Sequence, residues 1–129
     1  MMWKLAFPFL AALLAVGFGL DTEGFTELKA NDPGVQTALK FAMDEYNKAS
    51  PDVYLYVVVK VIRVQRKFLE GYKYILTVKI ARTECIKDSG DGPCPVFTDP
   101  VWQMEYQCRF VVYNSVWFRR WMLLENKCS

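Results

Sequence analysis

Histidine is absent from all 129 residues. Without an imidazole there is no Ser–His or Cys–His nucleophilic pair, and the commonest zinc ligand besides thiolate is missing. The four cysteines, Cys85, Cys94, Cys108 and Cys128, form an even set. If they pair, no thiol is left as nucleophile or metal ligand. No glycine-rich phosphate loop occurs. The carboxylates are scattered over stretches that read as exposed helix faces and loops, so solvated surface charge accounts for them better than a general acid–base pair. No catalytic residue, metal site or cofactor is expected, and the chain reads as a binding protein rather than an enzyme.

An excess of one charge is lacking as well. Lys and Arg total 16 against 14 Asp and Glu, with no basic stripe or acidic tail, so neither nucleic acid nor a membrane surface is expected as a partner. After residue 20, charges interrupt every apolar run before it reaches bilayer-spanning length. The run at 5–16 is short, follows Lys4, and is succeeded by Gly17-Phe18-Gly19, the small-x-small pattern that signal peptidase recognises. Residues 1–19 are therefore expected to be a signal peptide and residues 20–129 a single domain of a secreted, extracellular protein. In an oxidising compartment the cysteines pair. Of the three possible connectivities, Cys85–Cys94 and Cys108–Cys128 are expected, because sequential pairing joins neighbours across one loop and one hairpin. Each bridge adds about 2–4 kcal/mol.

What is present divides into one helix and then strands. Asn31 and Asp32 are good caps and Pro33 suits a first helical position. Val35, Ala38, Leu39, Ala42, Met43 and Tyr46 follow in steps of three and four until Pro51. A short strand is read near 25–29, before the helix. Residues 53–65 are too β-branched for a comfortable helix, and Tyr72, Tyr74, Leu76, Val78 and Ile80 alternate as a half-buried strand. The stretch 86–100, rich in Gly, Pro and Asp, is a surface loop. A strand from Trp102, a turn at Asn114-Ser115 and a last strand over 118–124 complete the pattern. The fold class expected is α+β: one long helix packed across an antiparallel meander of four to five strands. In a meander the first and third turns share one end of the sheet, so the turns near 66–71 and 114–118 should be neighbours, with 86–100 at the far end.

Both of those turns break the usual rule that tips are polar or glycine. Arg66-Lys67-Phe68-Leu69-Glu70-Gly71 puts two large apolar residues between charges, and Val116-Trp117 repeats the theme. Exposed, they make a contact surface, and Trp is a favoured interface anchor. The other reading is that Phe68 and Trp117 pack inward as core.

These residues carry a resemblance over nearly the whole mature length to the type 2 (secreted) cystatins. It rests on the element order, the four cysteines closing a short and then a long loop, Asp32-Pro33-Gly34-Val35 opening the helix and Glu45-Tyr46-Asn47-Lys48-Ala49-Ser50 ending it. Gly71, the strand containing Tyr74, Arg82-Thr83-x-Cys85 and Trp117 add to it. The resemblance implies a cystatin-like fold and reversible inhibition of papain-like cysteine proteases of cathepsin type. A wedge of three parts would block the protease cleft: an N-terminal glycine, a Gln-x-Val-x-Gly hairpin and a Pro-Trp hairpin. Here those parts fall on Gly24, on Lys67-Phe68-Leu69-Glu70-Gly71 and on Val116-Trp117. Lys67 for Gln, Glu70 for a small residue and Val116 for Pro are departures expected to weaken inhibition. The alternative is a diverged cystatin-fold module that binds another partner or associates with itself. A cathelicidin-type prodomain fits less well, since Ser129 follows the last cysteine directly. Some members bind legumain through an Asn in a Ser-Asn-Asp stretch after the helix. Ser50-Pro51-Asp52 has proline there, so no legumain binding is expected.

Overall fold

A computed structural model describes residues 24–88, 90 and 92–129. The expected signal peptide at 1–19 lies outside the described residues. The Asp32 carboxylate accepts from Gly34 N–H at 2.9 Å and Val35 N–H at 3.3 Å, satisfying donors that a helix start leaves orphaned. Pro33 follows at the position where a missing N–H costs nothing. Helix α1, Pro33–Ala49, buries Val35, Ala38, Leu39, Ala42 and Met43 along one face. Pro51 forces Ser50 into extended geometry, φ −63° and ψ 136°, and the Ser50 N–H closes the helix on the Tyr46 carbonyl.

Strands β1 (Thr26–Glu27), β2 (Tyr54–Phe68), β3 (Gly71–Ile86), β4 (Glu105–Ser115) and β5 (Arg120–Cys128) pair in that order as one antiparallel sheet. The helix lies across one face. Its buried stripe meets Tyr56, Val64, Tyr74, Leu76, Val78, Ile80, Phe110 and Val112, and Trp121 packs at the margin. This is the α+β arrangement expected from the order helix then meander.

Several boundaries differ from the expected ones. The strand expected from Trp102 begins at Glu105, because Asp99 captures the intervening chain. Its carbonyl accepts from Trp102 N–H and Gln103 N–H, and its carboxylate accepts from Val101 N–H, which is turn chemistry. The last turn lies beyond Asn114 and Ser115, which stay in the ladder opposite Trp121 and Arg120. Arg119 supplies the left-handed residue, φ 48°, that brings the chain back. The last strand therefore starts two residues late and runs on to Cys128, opposite Cys108.

Cys108 and Cys128 are bridged across that register pair, with Cα atoms 4.1 Å apart. Cys85, at the end of β3, is bridged to Cys94 at 5.4 Å. Both connectivities are those expected. At the centre of the core, Phe110 is fully buried and meets Tyr46 edge-on, with ring centroids 6.1 Å apart. Phe110→Ala is expected to cost about 3–5 kcal/mol through lost transfer energy and a residual cavity, read from urea denaturation midpoints. A loss below about 1 kcal/mol would mean that helix and sheet do not pack as described.

Candidate functional site

Three separate stretches converge at one end of the sheet. Strand β1 pairs Thr26 with Arg66, which sets Gly24 against the first hairpin. Gly24 has φ 83°, and a methyl group there would sit 3.0 Å from Cε of Lys67. Lys67 also places its ammonium 5.7 Å from the centroid of the Phe25 ring. The first hairpin turns through Leu69 and Glu70, between Phe68 and Gly71. Phe68 is 61% exposed, although its ring meets Tyr72 edge-on. The second hairpin presents Val116, Trp117 and Phe118, the latter two 74% and 78% exposed. Phe68 and Trp117 thus face outward.

The two hairpins are locked together rather than merely adjacent. Val116 N–H donates to the Glu70 carbonyl at 3.1 Å. The Tyr113 hydroxyl lies 2.5 Å from the Leu69 carbonyl and 3.0 Å from that of Glu70, sharing its proton between them. Gly71 pairs with Ser115 and has φ 143°. A β-carbon there would lie 2.2 Å from the Asn114 carbonyl oxygen, so only glycine allows the hairpins this close. Glu70 stands at φ 53°, a left-handed position that costs a non-glycine residue about 1–2 kcal/mol. The two bonds to its carbonyl offset that cost.

This edge offers exposed apolar side chains on a hydrogen-bonded frame. All the sequence-derived positions, Gly24, Lys67, Phe68, Leu69, Glu70, Gly71, Val116 and Trp117, lie in these three stretches. Two contributors escaped the sequence reading. The sequence pattern places Phe118 in the following strand, though its place in the run Val116-Trp117-Phe118 marks it as part of the same tip. Tyr113 sits mid-pattern in β4, and no local signal separates it from an ordinary strand tyrosine.

The opposite end carries the Cys85–Cys94 loop. Strand β3, 16 residues long, separates the two ends by about 50 Å of extended chain. There Tyr54, Phe97 and Trp102 form a chain of ring contacts at 5.0 and 6.2 Å. The corner after the helix, Ser50-Pro51-Asp52, is held by its own bonds. The Asp52 carboxylate accepts from Tyr54 N–H at 3.0 Å, from the Tyr56 hydroxyl at 2.9 Å and from Arg82 at 2.7 and 2.8 Å. Burial alone pushes the Asp52 carboxyl up, but these hydrogen bonds and the Arg82 charge together hold it below the usual carboxylate range. The Tyr56 hydroxyl is pushed up to about 12, by burial first and then by donating to Asp52.

A family model described as a Cystatin domain matches residues 24–117, a span that begins at Gly24 and ends at Trp117. A cystatin of Gallus gallus is 44% identical, over 92% of this chain and 91% of its own length. A cystatin-C of Paralichthys olivaceus is 38% identical, over 98% and 100% respectively. Among solved structures, dimeric human cystatin F superposes with a TM-score of 0.73 at 25% identity, covering 81% of this chain and 85% of that one.

Two substitutions test the geometry. Gly71→Ala is expected to cost about 2–4 kcal/mol, since it places a methyl group in the Asn114 carbonyl at an unfavourable φ. A change below about 0.5 kcal/mol in denaturation would show that the hairpins do not touch. Asp52→Asn is expected to cost about 1–2 kcal/mol at neutral pH, because it removes charge-assisted bonds. The folded carboxyl titrates below its unfolded value, so this contribution is complete above about pH 5 and fades as pH falls through 4 and below. The gap between wild type and variant should therefore narrow in acid. An equal gap at pH 7 and pH 3 would assign it to packing instead.

Proposed function

The chain belongs to the cystatin family, whose members are cysteine-protease inhibitors and not enzymes, and from that membership we propose that it is a secreted, reversible, wedge-type inhibitor of papain-like proteases of cathepsin type. The observation that supports this most is the frame joining the two hairpins. Val116 N–H to the Glu70 carbonyl and the shared Tyr113 proton hold Leu69 and Trp117 as one rigid apolar edge. Rigid tips lose little entropy on entering a cleft. The backbone around Gly71 is committed to the neighbouring hairpin, so an attacking thiolate is offered no free extended strand to cleave. Gly24, beside Lys67, starts the third part of the edge. Two disulfides fit an oxidising, extracellular setting.

The departures act on strength rather than on shape. Glu70 and Lys67 introduce charge where a narrow cleft removes water, and Val116 lacks the stiffness of proline. Together they are expected to weaken binding by about 2–4 kcal/mol, roughly thirty- to a thousand-fold. The Ser50-Pro51-Asp52 corner bears no Asn for legumain, and Asp52 is engaged by Arg82. Legumain inhibition is therefore not part of the proposed activity.

Inhibition constants against one papain-like protease test this reading. Trp117→Ala is expected to weaken inhibition by about 2 kcal/mol or more, as an exposed aromatic anchor does. Glu70→Ala should tighten it, and by more than Lys67→Gln, because the lysine stem carries its charge back towards solvent. If wild type and all three variants are inert at micromolar concentration, the edge serves a partner that is not a protease.

A further inference from the structure

Several cations of the sheet are paired with carboxylates, although Lys60, opposite Lys79, is not among them; at one end three stand close together without such partners. On the face turned away from α1, Lys79 pairs with Glu105 at 3.0 Å and Arg109 with Glu125 at 2.8 Å. Lys127 also reaches Glu125, and at the β1 edge Arg63 pairs with Glu27. Towards the hairpin tips cations gather. Lys67 and Lys73 stand directly opposite each other, a like-charge pairing that costs stability in a sheet. Across from Lys73 on β4 is Tyr113, which brings no charge. Arg120, opposite Ser115, shares that face by alternation, since the neighbouring Trp121 and Tyr74 point the other way and meet each other, with Trp121 on Phe41 of the helix. Arg119 stands in the turn itself. On the helix side, Arg66 lies 4.5 Å from the Tyr72 ring centroid. Among the described residues, none of Lys73, Arg119 and Arg120 takes part in an ion pair.

Residues 66–73 and 113–120 thus carry five cations and one carboxylate in a chain of net charge +2. The cations ring an apolar tip instead of forming a stripe. A stripe suits a linear polyanion; a ring around a plug suits a socket whose rim is acidic. Resting on the inhibitor reading, we infer that this cationic collar is a specificity element: it selects proteases with carboxylate-lined cleft rims and acts mainly on the rate of association. Exposed charges at the edge of an interface steer encounter more than they hold the complex, and salt screens them.

The probe is one papain-like protease with an acidic cleft rim, and a version of it with those rim carboxylates changed to amides. Association with wild type should slow about ten-fold between about 20 mM and about 500 mM salt. Lys73→Gln with Arg120→Gln should slow association at low salt by about five-fold and flatten the salt dependence. Dissociation should change less than about two-fold. Lys40→Gln with Lys48→Gln, which removes the same charge from the helix surface, should behave as wild type, and the amide form of the protease should abolish the difference. Equal salt profiles for wild type and the collar variant, or equal slowing by the helix variant, would overturn the collar while leaving inhibition intact. Absence of any complex would overturn both readings together. Retention on immobilised heparin at about 150 mM salt, with salt-insensitive association to the protease, would reassign the collar to a sulfated polysaccharide and overturn this proposal.

Discussion

Strand β3 is paired along both edges, to β2 on one side and β4 on the other, and everything else hangs from that double ladder. Its inward residues Tyr74, Leu76, Val78 and Ile80 are the floor on which α1 rests. Its first residue, Gly71, is the hinge point of the candidate site, and its far end anchors the Cys85–Cys94 loop. Because side chains alternate strictly, a slip of one residue would send the whole floor to the solvent face. The same slip would move Gly71 away from Asn114, where no other residue fits. Core packing and site geometry are therefore set by one register.

The site departs from the rules the rest of the chain obeys. Elsewhere, turns carry what turns want: Asp99 captures three successive N–H groups, and Asp32 caps its helix. At the hairpin tips, Leu69, Trp117 and Phe118 are exposed, and Glu70 and Arg119 occupy left-handed positions that glycine or asparagine fills more easily. Local rules broken at one site and offset by neighbouring contacts are characteristic of functional surface. The cost is contained, because the cross-hairpin bonds to the Leu69 and Glu70 carbonyls keep the frame rigid while the side chains stay exposed.

Charge follows the same division. Where the sheet only needs to be soluble, Lys79 and Arg109 have carboxylates within reach, and such exposed pairs contribute little. At the tips the pattern changes to cations around an apolar centre, which the fold does not need. The far corner makes the contrast plain. There Asp52 gathers Arg82, Tyr56 and Tyr54 N–H into one closed cluster that joins helix end to strand start, and its polar groups are spent internally.

Helix and strand content, the order of elements and both disulfides were legible in the chain itself, because each depends on short-range chemistry. Asp32-Pro33 starts a helix, the three-four spacing of Val35 to Met43 gives it one buried face, and period-two alternation marks β3 wherever it pairs. The meander also followed, since hairpin connections leave few alternatives, and with it the convergence of the two tips. Boundaries did not. The start of β4 depends on Asp99 reaching forward, and the extent of β5 on a cross-strand partner, Cys108, that lies 20 residues away. Only the tertiary structure decided which way Phe68 and Trp117 face, since alternation cannot say whether a tip residue finds cover. It alone brought Tyr113 to the turn carbonyls, contacts between residues more than forty positions apart, and set Arg120 on the face that carries Lys73. Local pattern fixes what a segment becomes; what it meets is a matter of register, and register is settled by the whole sheet at once.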